Sequence, residues 1–369
     1  MLHQESYTSF LLIPPALPPL VKLILTLSAA FMVVAILLFL FIVLSRVRDG
    51  FNYNRRQLMQ KKSQQFITSM IFEEEGWNVA RLENFREKYL TNDFQKQLFL
   101  ENLIILRKNI IGELADKLNQ LYKDLGLHIY SKQKLYSGSW DVIAKGIGEL
   151  TEMGMKQDSV LIRTFINHPN QILRSEAQVS YLKLQNEEPF SFLDELEEPL
   201  LEWSQMQLGR AAQKTQFLKL PHFEKWLHKK EPSIVIFCIR MISFYNQHGS
   251  APKLIKMLDH PNEKVRLEAV IAICHLEIYD ATEKMLQIFD REPLKVQLEI
   301  LKTLPNISGE ENIPFYEQLL HHHDKSLQLA AAKAIVRSGH RGEEIMATIQ
   351  NNDQHTLQPV AAYALDKRI

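Results

Sequence analysis

The sequence predicts an all-α protein in which a single N-terminal transmembrane helix is followed by a right-handed α-solenoid of helix pairs. Three observations support this class. One stretch near the N-terminus is long, apolar and free of charge. A pattern of apolar residues recurs about every 30 residues through the remainder of the chain. Glycine is scarce, at 13 of 369 residues, while helix-favouring residues dominate after residue 50.

The same observations divide the chain into five predicted segments. These are a short extracytoplasmic N-terminus (1–19), a transmembrane helix (20–45), a basic juxtamembrane helix or linker (46–76), a helical capping region (77–129) and the solenoid (130–369). A capping region is expected because a solenoid needs a sealed first face.

The transmembrane helix is predicted from "LILTLSAAFMVVAILLFLFIVL", 22 uncharged residues from Leu23 to Leu44. A helix of this length spans a hydrocarbon core of roughly 30 Å. A cleaved signal peptide fits less well, because the run is long, no basic region opens the chain and no small-residue cleavage site follows. The stretch therefore predicts a single-pass integral membrane protein.

Charges that flank this stretch predict its orientation. Lys22 lies at its leading edge, whereas six basic residues follow it: Arg46, Arg48, Arg55, Arg56, Lys61 and Lys62. The positive-inside rule then places residues 1–19 outside the plasma (inner) membrane and the solenoid in the cytoplasm. These charges either lie against anionic headgroups or only set the topology, and the sequence leaves both interpretations open.

Bulk charge and cysteine usage exclude several classes. The 43 Lys and Arg residues balance 43 Asp and Glu residues, so the net charge predicts no nucleic-acid partner. The two cysteines, Cys238 and Cys274, form no CxxC pair and predict neither a disulfide framework nor a zinc site.

The repeat is clearest in "INHPNQILRSEAQVSYLKL" (166–184) and "LDHPNEKVRLEAVIAICHL" (258–276). We call the first apolar residue after each corner the anchor. Steps of 30 or 31 residues give eight anchors: Val142, Leu173, Ser204, Ile234, Val265, Val296, Leu327 and Leu357. The anchors and the residues four and eight positions later make 24 sites, and all are apolar except Ser204 and Gly146. The whole chain is 46% hydrophobic, so the period is not a product of composition.

The pattern predicts that each unit consists of a first helix, a short polar or proline-containing corner and a second helix. The anchor and the residues four and eight later share one face of the second helix. One pair cannot bury that face alone, but stacked pairs can, and this predicts the solenoid.

The stretches "DHPNEKVRLEAVIAICHL", "HHDKSLQLAAAKAIVRSG" and "NDQHTLQPVAAYALDKR" resemble HEAT repeats in their short form. The resemblance covers residues 130–369 and implies HEAT-like helix pairs. It implies little about chemistry. The chain departs from the family in two ways: the Arg expected after the anchor survives only as Arg174 and Arg266, and the unit around Ser204 is irregular.

No sequence motif predicts catalysis. The chain has no Gly-rich phosphate loop, HExxH motif, nucleophile elbow or kinase signature. His321, His322 and His323 suggest a metal site, but His322 lies five residues before its anchor, as His168 and His260 do. We therefore predict that these histidines cap free carbonyls at the end of the first helix. No catalytic, metal or cofactor site is predicted, and the chain is predicted not to be an enzyme.

Basic residues recur six and ten positions after the anchors, and we call them the basic ribbon. Its members are Lys183, Arg210, Lys214, Arg240, Lys302, Lys333, Arg337 and Lys367. These positions point away from the packed face and are neighbours on the helix. One interpretation is a binding surface along the inner side of the solenoid. The other is the usual enrichment of basic residues late in helices, partly neutralised by Glu176, Glu268 and Glu299.

The function expected from these features is that of a membrane-anchored cytoplasmic scaffold or adaptor. Its expected partner is a protein, most simply part of a membrane-associated complex, and neither nucleic acid nor a small-molecule substrate is expected. The alternative is a HEAT-like enzyme or enzyme subunit of the lyase type acting at the membrane, since some short HEAT-like proteins resemble bilin lyases. No residue of this sequence supports a bilin site.

Overall fold

The computed structural model describes residues 18–72, 77–185, 187–215, 217–352 and 356–366, with the backbone alone for residues 47–55. Within these residues every regular element is an α-helix or a short 3-10 turn, as the all-α prediction requires. The chain divides into two compact units, Met1–Ile129 and Tyr130–Ile369, which are described separately below.

The first described helix of the first unit is α1, a continuous helix of 54 residues at Pro19–Phe72. Its part Pro19–Arg46 is long and apolar enough to cross a membrane, with a mean hydropathy of 3.1 and none of that window buried. This is the composition of a membrane anchor or of a signal sequence. The segment predicted to span the membrane is therefore the exposed first half of a longer helix.

The second half of α1 belongs to the core of the first unit. Met59, Ser63, Ile67 and Met70 are buried at helical spacing, on the side where α1 packs against α3. The other helices of the unit are α2 (Val79–Tyr89), α3 (Asp93–Asn109) and α4 (Glu113–Asp124). The final turns of α1 are thus a packed element rather than a free linker.

The second unit is built from the predicted helix pairs. α5 (Leu127–Lys134) crosses the boundary between the units. The first helices are α7 (Ser159–Arg163), α11 (Ala251–Met257), α13 (Thr282–Ile288), α15 (Ile313–Leu319) and α17 (His340–Gln350). The second helices are α6 (Trp140–Glu152), α8 (Gln171–Leu184), α9 (Glu202–Lys214), α10 (Pro232–Phe244), α12 (Glu263–His275), α14 (Leu294–Ser308), α16 (Lys325–Arg337) and α18 (Gln358–Leu365).

Most second helices stack on the next one in chain order, with α12 on α14 and α14 on α16 among the most extensive contacts. The helices α9 and α10 are instead joined through side chains, such as that of Arg240, which donates to Gln205. Each first helix packs on the second helix of its own pair. The result is a layer of second helices backed by a layer of first helices, which is the arrangement of an α-solenoid.

The burial of the second helices confirms the predicted register. Of the 24 sites at the anchors and four and eight residues later, all are buried except Val142 and Leu365, which are half-buried. Gly146, one of the two exceptions to the apolar pattern, has a steric cause. A Cβ atom there would lie 2.7 Å from Leu135 Cδ1 and 2.8 Å from the carbonyl oxygen of Ser131. Only glycine lets α6 approach this closely.

Two units depart from the helix, corner, helix prediction, which is wrong for them. Before α9 and α10 the first helix is replaced by 3-10 turns, at Ser191–Asp194 and Phe223–Trp226. Large aromatic side chains fill this part of the layer, and Phe190 and Phe223 pack edge to face with ring centroids 4.8 Å apart. The indole N–H of Trp226 donates to Asp194 Oδ1 at 2.7 Å and joins the two turns. Bulky rings therefore supply here the volume that a short helix supplies elsewhere.

Candidate protein-binding face of the second helices

Each second helix is oriented by the corner that precedes it. In three corners a histidine Nδ1 accepts the backbone N–H of the residue two positions later, at 3.0 Å in each case: His168 from Asn170, His260 from Asn262 and His322 from Asp324. That Asn or Asp then caps the second helix. The prediction that these histidines cap carbonyls of the first helix was therefore wrong, because their Nδ1 accepts a hydrogen bond from the second helix's N-cap residue.

The triple-histidine stretch is divided between roles. His322 accepts the corner hydrogen bond from Asp324, while His321 and His323 are exposed. Among the residues that the structure describes, no group of three or more His, Cys, Asp or Glu side chains is arranged to hold a metal ion.

The residue that directly follows the anchor also stabilises the corner. Arg266 Nη1 donates to the carbonyl oxygen of His260 at 2.8 Å, and Gln297 Nε2 donates to that of Phe289 at 2.9 Å. The same kind of bond to a preceding backbone carbonyl is made by Arg174, Gln205 and Gln328. The family's Arg is thus replaced functionally by Gln. A search for a long side chain with an N–H donor, rather than for Arg alone, would have found these residues.

Arg266 also links its corner to the next one. Its Nε lies 2.8 Å from Glu292 Oε2, and the Glu292 side chain is only 1% exposed. The guanidinium therefore satisfies both a corner carbonyl and a buried carboxylate. Such bonds fix the spacing of successive second helices, and with it the spacing of their exposed side chains.

The basic ribbon lies on the solvent side of the second helices wherever the structure describes it. Six members are exposed: Lys183, Arg210, Lys214, Arg240, Lys302 and Arg337. Lys333 is half-buried, and Lys367 lies outside the described residues. The ribbon positions therefore point away from the packed face, as helical spacing requires.

Four members of the ribbon have partners on the same face. Arg240 Nη2 lies 2.8 Å from Glu268 Oε2, and its Nη1 donates to Gln205 Oε1 at 3.0 Å. The remaining contacts are Lys183 with Glu152 at 3.4 Å, Lys302 with Glu299 at 2.9 Å, and the Lys333 ammonium 4.6 Å from the centre of the Tyr363 ring. Arg240 thus ties α9, α10 and α12 together, and these side chains have a structural role besides any binding role.

Three other members of the basic ribbon form no such contact with a described residue. Arg210, Lys214 and Arg337 are exposed, and none of them forms an ion pair or hydrogen bond with another described residue. Their positive charges are therefore the ones most available to a partner.

The geometry defines the class of protein as an all-helical solenoid whose second helices present their exposed side chains on one side. The comparisons agree with this class. The family described as HEAT repeats matches residues 251–335. A crystal structure of a Kap121p mutant is similar in fold, with 13% sequence identity and a TM-score of 0.52. The α-solenoid fold predicted from the sequence is thereby confirmed, and residues 251–335 match HEAT repeats within it.

The structural similarity covers 82% of this chain and 41% of the Kap121p chain, so this chain spans less than half the length of that protein. At this identity the similarity shows the fold alone. The comparison with curated proteins found no match.

Proposed function

We propose that this protein is a membrane-anchored scaffold that binds a protein partner on the exposed face of its second helices. The observation that carries the proposal is the set of uncompensated charges at Arg210, Lys214 and Arg337, which lie six or ten residues after their anchors on the solvent side of the second helices. Repeat proteins use such faces because stacking places equivalent side chains at regular intervals. An acidic surface on the partner would complement them.

The HEAT-repeat fold supports a binding role over the lyase-type alternative. HEAT-repeat solenoids are typically scaffolds without enzymatic activity. The partner that we propose is a protein of a membrane-associated complex, since the anchor would hold the solenoid near the bilayer. Neither nucleic acid nor a small-molecule substrate is needed for this role.

The proposed anchor is the first half of α1, with residues 1–19 outside the plasma (inner) membrane and the solenoid in the cytoplasm. Its large apolar side chains are exposed, with Phe31 79% and Phe41 70% accessible. A lipid bilayer would cover such a surface. Arg46, Arg56 and Lys61 follow on the proposed cytoplasmic side.

The topology can be tested by fusing alkaline phosphatase or a fluorescent protein to the C-terminus of the full chain. We expect fluorescence without phosphatase activity, because phosphatase matures only outside the cytoplasm. Phosphatase activity in the membrane fraction would reverse the proposed orientation.

The binding face can be tested by capture of partners from detergent-solubilised membranes. The bait is the full chain, either unchanged or with Arg210, Lys214 and Arg337 each replaced by Glu. A matched control carries Lys156→Glu, Lys230→Glu and Lys256→Glu, three exposed residues that are not on the second helices. We expect the control to capture the same stoichiometric partner as the unchanged chain, and the ribbon variant to lose it. Equal capture by all three baits would contradict the proposal.

A further inference from the structure

The exposed face of α8 and α9 carries large apolar side chains beside the basic ribbon. Trp203 is 56% exposed, Met206 47% and Ile172 61%. Within α9, Trp203, Met206 and Arg210 are three and four residues apart in turn, so that all three lie on one face of the helix.

Neighbouring helices extend this surface on both sides. Ile172 and Trp203 each precede an anchor by one residue, so they hold equivalent positions on α8 and α9, which pack on each other. On the other side Arg240 reaches Gln205 of α9, and the Tyr245 hydroxyl donates to the carbonyl oxygen of Ala212 at 3.2 Å. The apolar side chains thus lie toward the beginnings of α8 and α9, and the basic ones toward the ends of α9 and α10.

The composition of this surface is that of a binding hot spot. Trp, Met and Arg are enriched in the cores of protein interfaces, and exposed apolar clusters are otherwise unfavourable in water. Arg210 and Lys214 form no ion pair with described residues, so their charges are also uncompensated. A covering partner must therefore supply both apolar surface and negative charge.

We propose that the exposed face of α8, α9 and α10 docks an acidic segment of a partner protein that also carries large apolar side chains. The apolar side chains of the segment cover Trp203, Met206 and Ile172, while its carboxylates meet Arg210 and Lys214. This inference rests on the proposed function and deepens it by naming the chemistry of the partner and one place on the face where it binds.

Three fluorescent synthetic peptides of equal length test this chemistry. The first alternates Glu with Leu and Phe at helical spacing, the second keeps the Glu residues but has Ser in place of Leu and Phe, and the third keeps the apolar residues but has Lys in place of Glu. Binding to the full chain in an uncharged detergent is followed by fluorescence anisotropy. We expect the first peptide to bind at least about tenfold more tightly than either of the others.

Matched variants locate the site. Trp203→Ala and Met206→Ala should each weaken binding of the first peptide by about tenfold or more, as truncation of a hot-spot residue does. Trp140→Ala is the control, because Trp140 is also exposed, at 41%, but begins a different second helix, α6. Thermal melts of each variant establish that the fold is retained, as expected for exposed positions.

The outcomes separate this inference from the proposed function. One outcome is that the acidic peptide without apolar residues binds as tightly as the first peptide, and that Arg210→Glu weakens binding while Trp203→Ala does not. The scaffold proposal then stands, and the apolar docking site is wrong. If no acidic peptide binds, both are contradicted. A third outcome is that the chain in nanodiscs prefers vesicles of phosphatidylcholine and phosphatidylglycerol to the first peptide, and that this binding depends on Trp203. The face is then a lipid-binding surface, and the inference is wrong.

Discussion

At the residue scale, Arg266 shows how one side chain serves two corners. Its guanidinium donates to the carbonyl of His260 and pairs with the buried carboxylate of Glu292. Arg266→Gln should keep the first bond, since Gln297 makes the equivalent one in its own unit. It leaves the buried Glu292 with only the more distant Arg291, whose Nε lies 4.0 Å from Oε1. We expect a loss of about 3 kcal/mol in the free energy of unfolding.

A double-mutant cycle checks this expectation. Replacing Glu292 by Gln as well removes the buried charge, so the double variant should be more stable than Arg266→Gln alone. Denaturant melts of the full chain in detergent measure the four proteins. Strictly additive effects would show that the pair does not couple the corners.

His260 predicts a dependence of stability on pH. Burial lowers the pKa of this imidazole below its usual value of 6.5, and the guanidinium of Arg266 acts in the same direction. The unfolded chain therefore binds this proton more readily than the folded one, so the stability that His260 contributes is complete above about pH 6.5 and is lost as the pH falls below that value.

Melting temperatures between neutral and mildly acidic pH measure the effect. His260→Ala should lower the melting temperature at neutral pH and should flatten its fall toward acid. His275→Ala, at the exposed end of the second helix that follows this corner, is the control for removal of an imidazole. The same slope in His260→Ala as in the unchanged chain would rule out this titration.

At the scale of the element, α1 is both a membrane-length helix and a core helix. Ile67 is 1% exposed, so that Ile67→Ala should leave a cavity and cost about 2–5 kcal/mol. Gln64→Ala changes an exposed residue one turn away and should cost little. A thermal melt of the full chain compares them. Equal stability of both variants would mean that residues 59–72 are a linker and not part of the core.

The second helices could be predicted from the sequence, because in most units the same positions of that helix are apolar and buried. The residues four and eight positions after the anchors Val265 and Leu327 are examples. They are Ala269, Ile273, Ala331 and Ile335, and all four are fully buried. The first layer was less predictable. Before α9 and α10 it is filled by aromatic rings packed against one another, and such packing depends on contacts between distant residues rather than on a period.

The candidate site was predictable to a similar degree. Helical spacing placed the ribbon on the solvent side, but it could not show which charges have partners. Arg240 reaches Gln205 in the preceding second helix and Glu268 in the following one, and only the stacked structure brings these three together. The sequence pattern of basic residues does not include Trp203 and Met206, although helical spacing places both on the same face of α9 as Arg210.

At the scale of the whole molecule, the chain contains an exposed apolar helix and an α-solenoid. The solenoid places equivalent side chains on one face, and the proposed anchor would keep that face near membrane proteins. The two layers of the solenoid differ in their expected roles, because the first helices back the stack while the second helices carry the ribbon and the apolar cluster.

Site-specific photo-cross-linking in intact cells tests the central claim most directly. A photoreactive amino acid replaces Arg210 or Asn306 on the second helices, or Lys256 or Gln287 on the first helices, in the full chain. All four positions are exposed. We predict that the two positions on the second helices cross-link to one and the same membrane-associated protein, and that the two on the first helices do not. Cross-links to that protein from the first helices, with none from the second helices, would contradict the account.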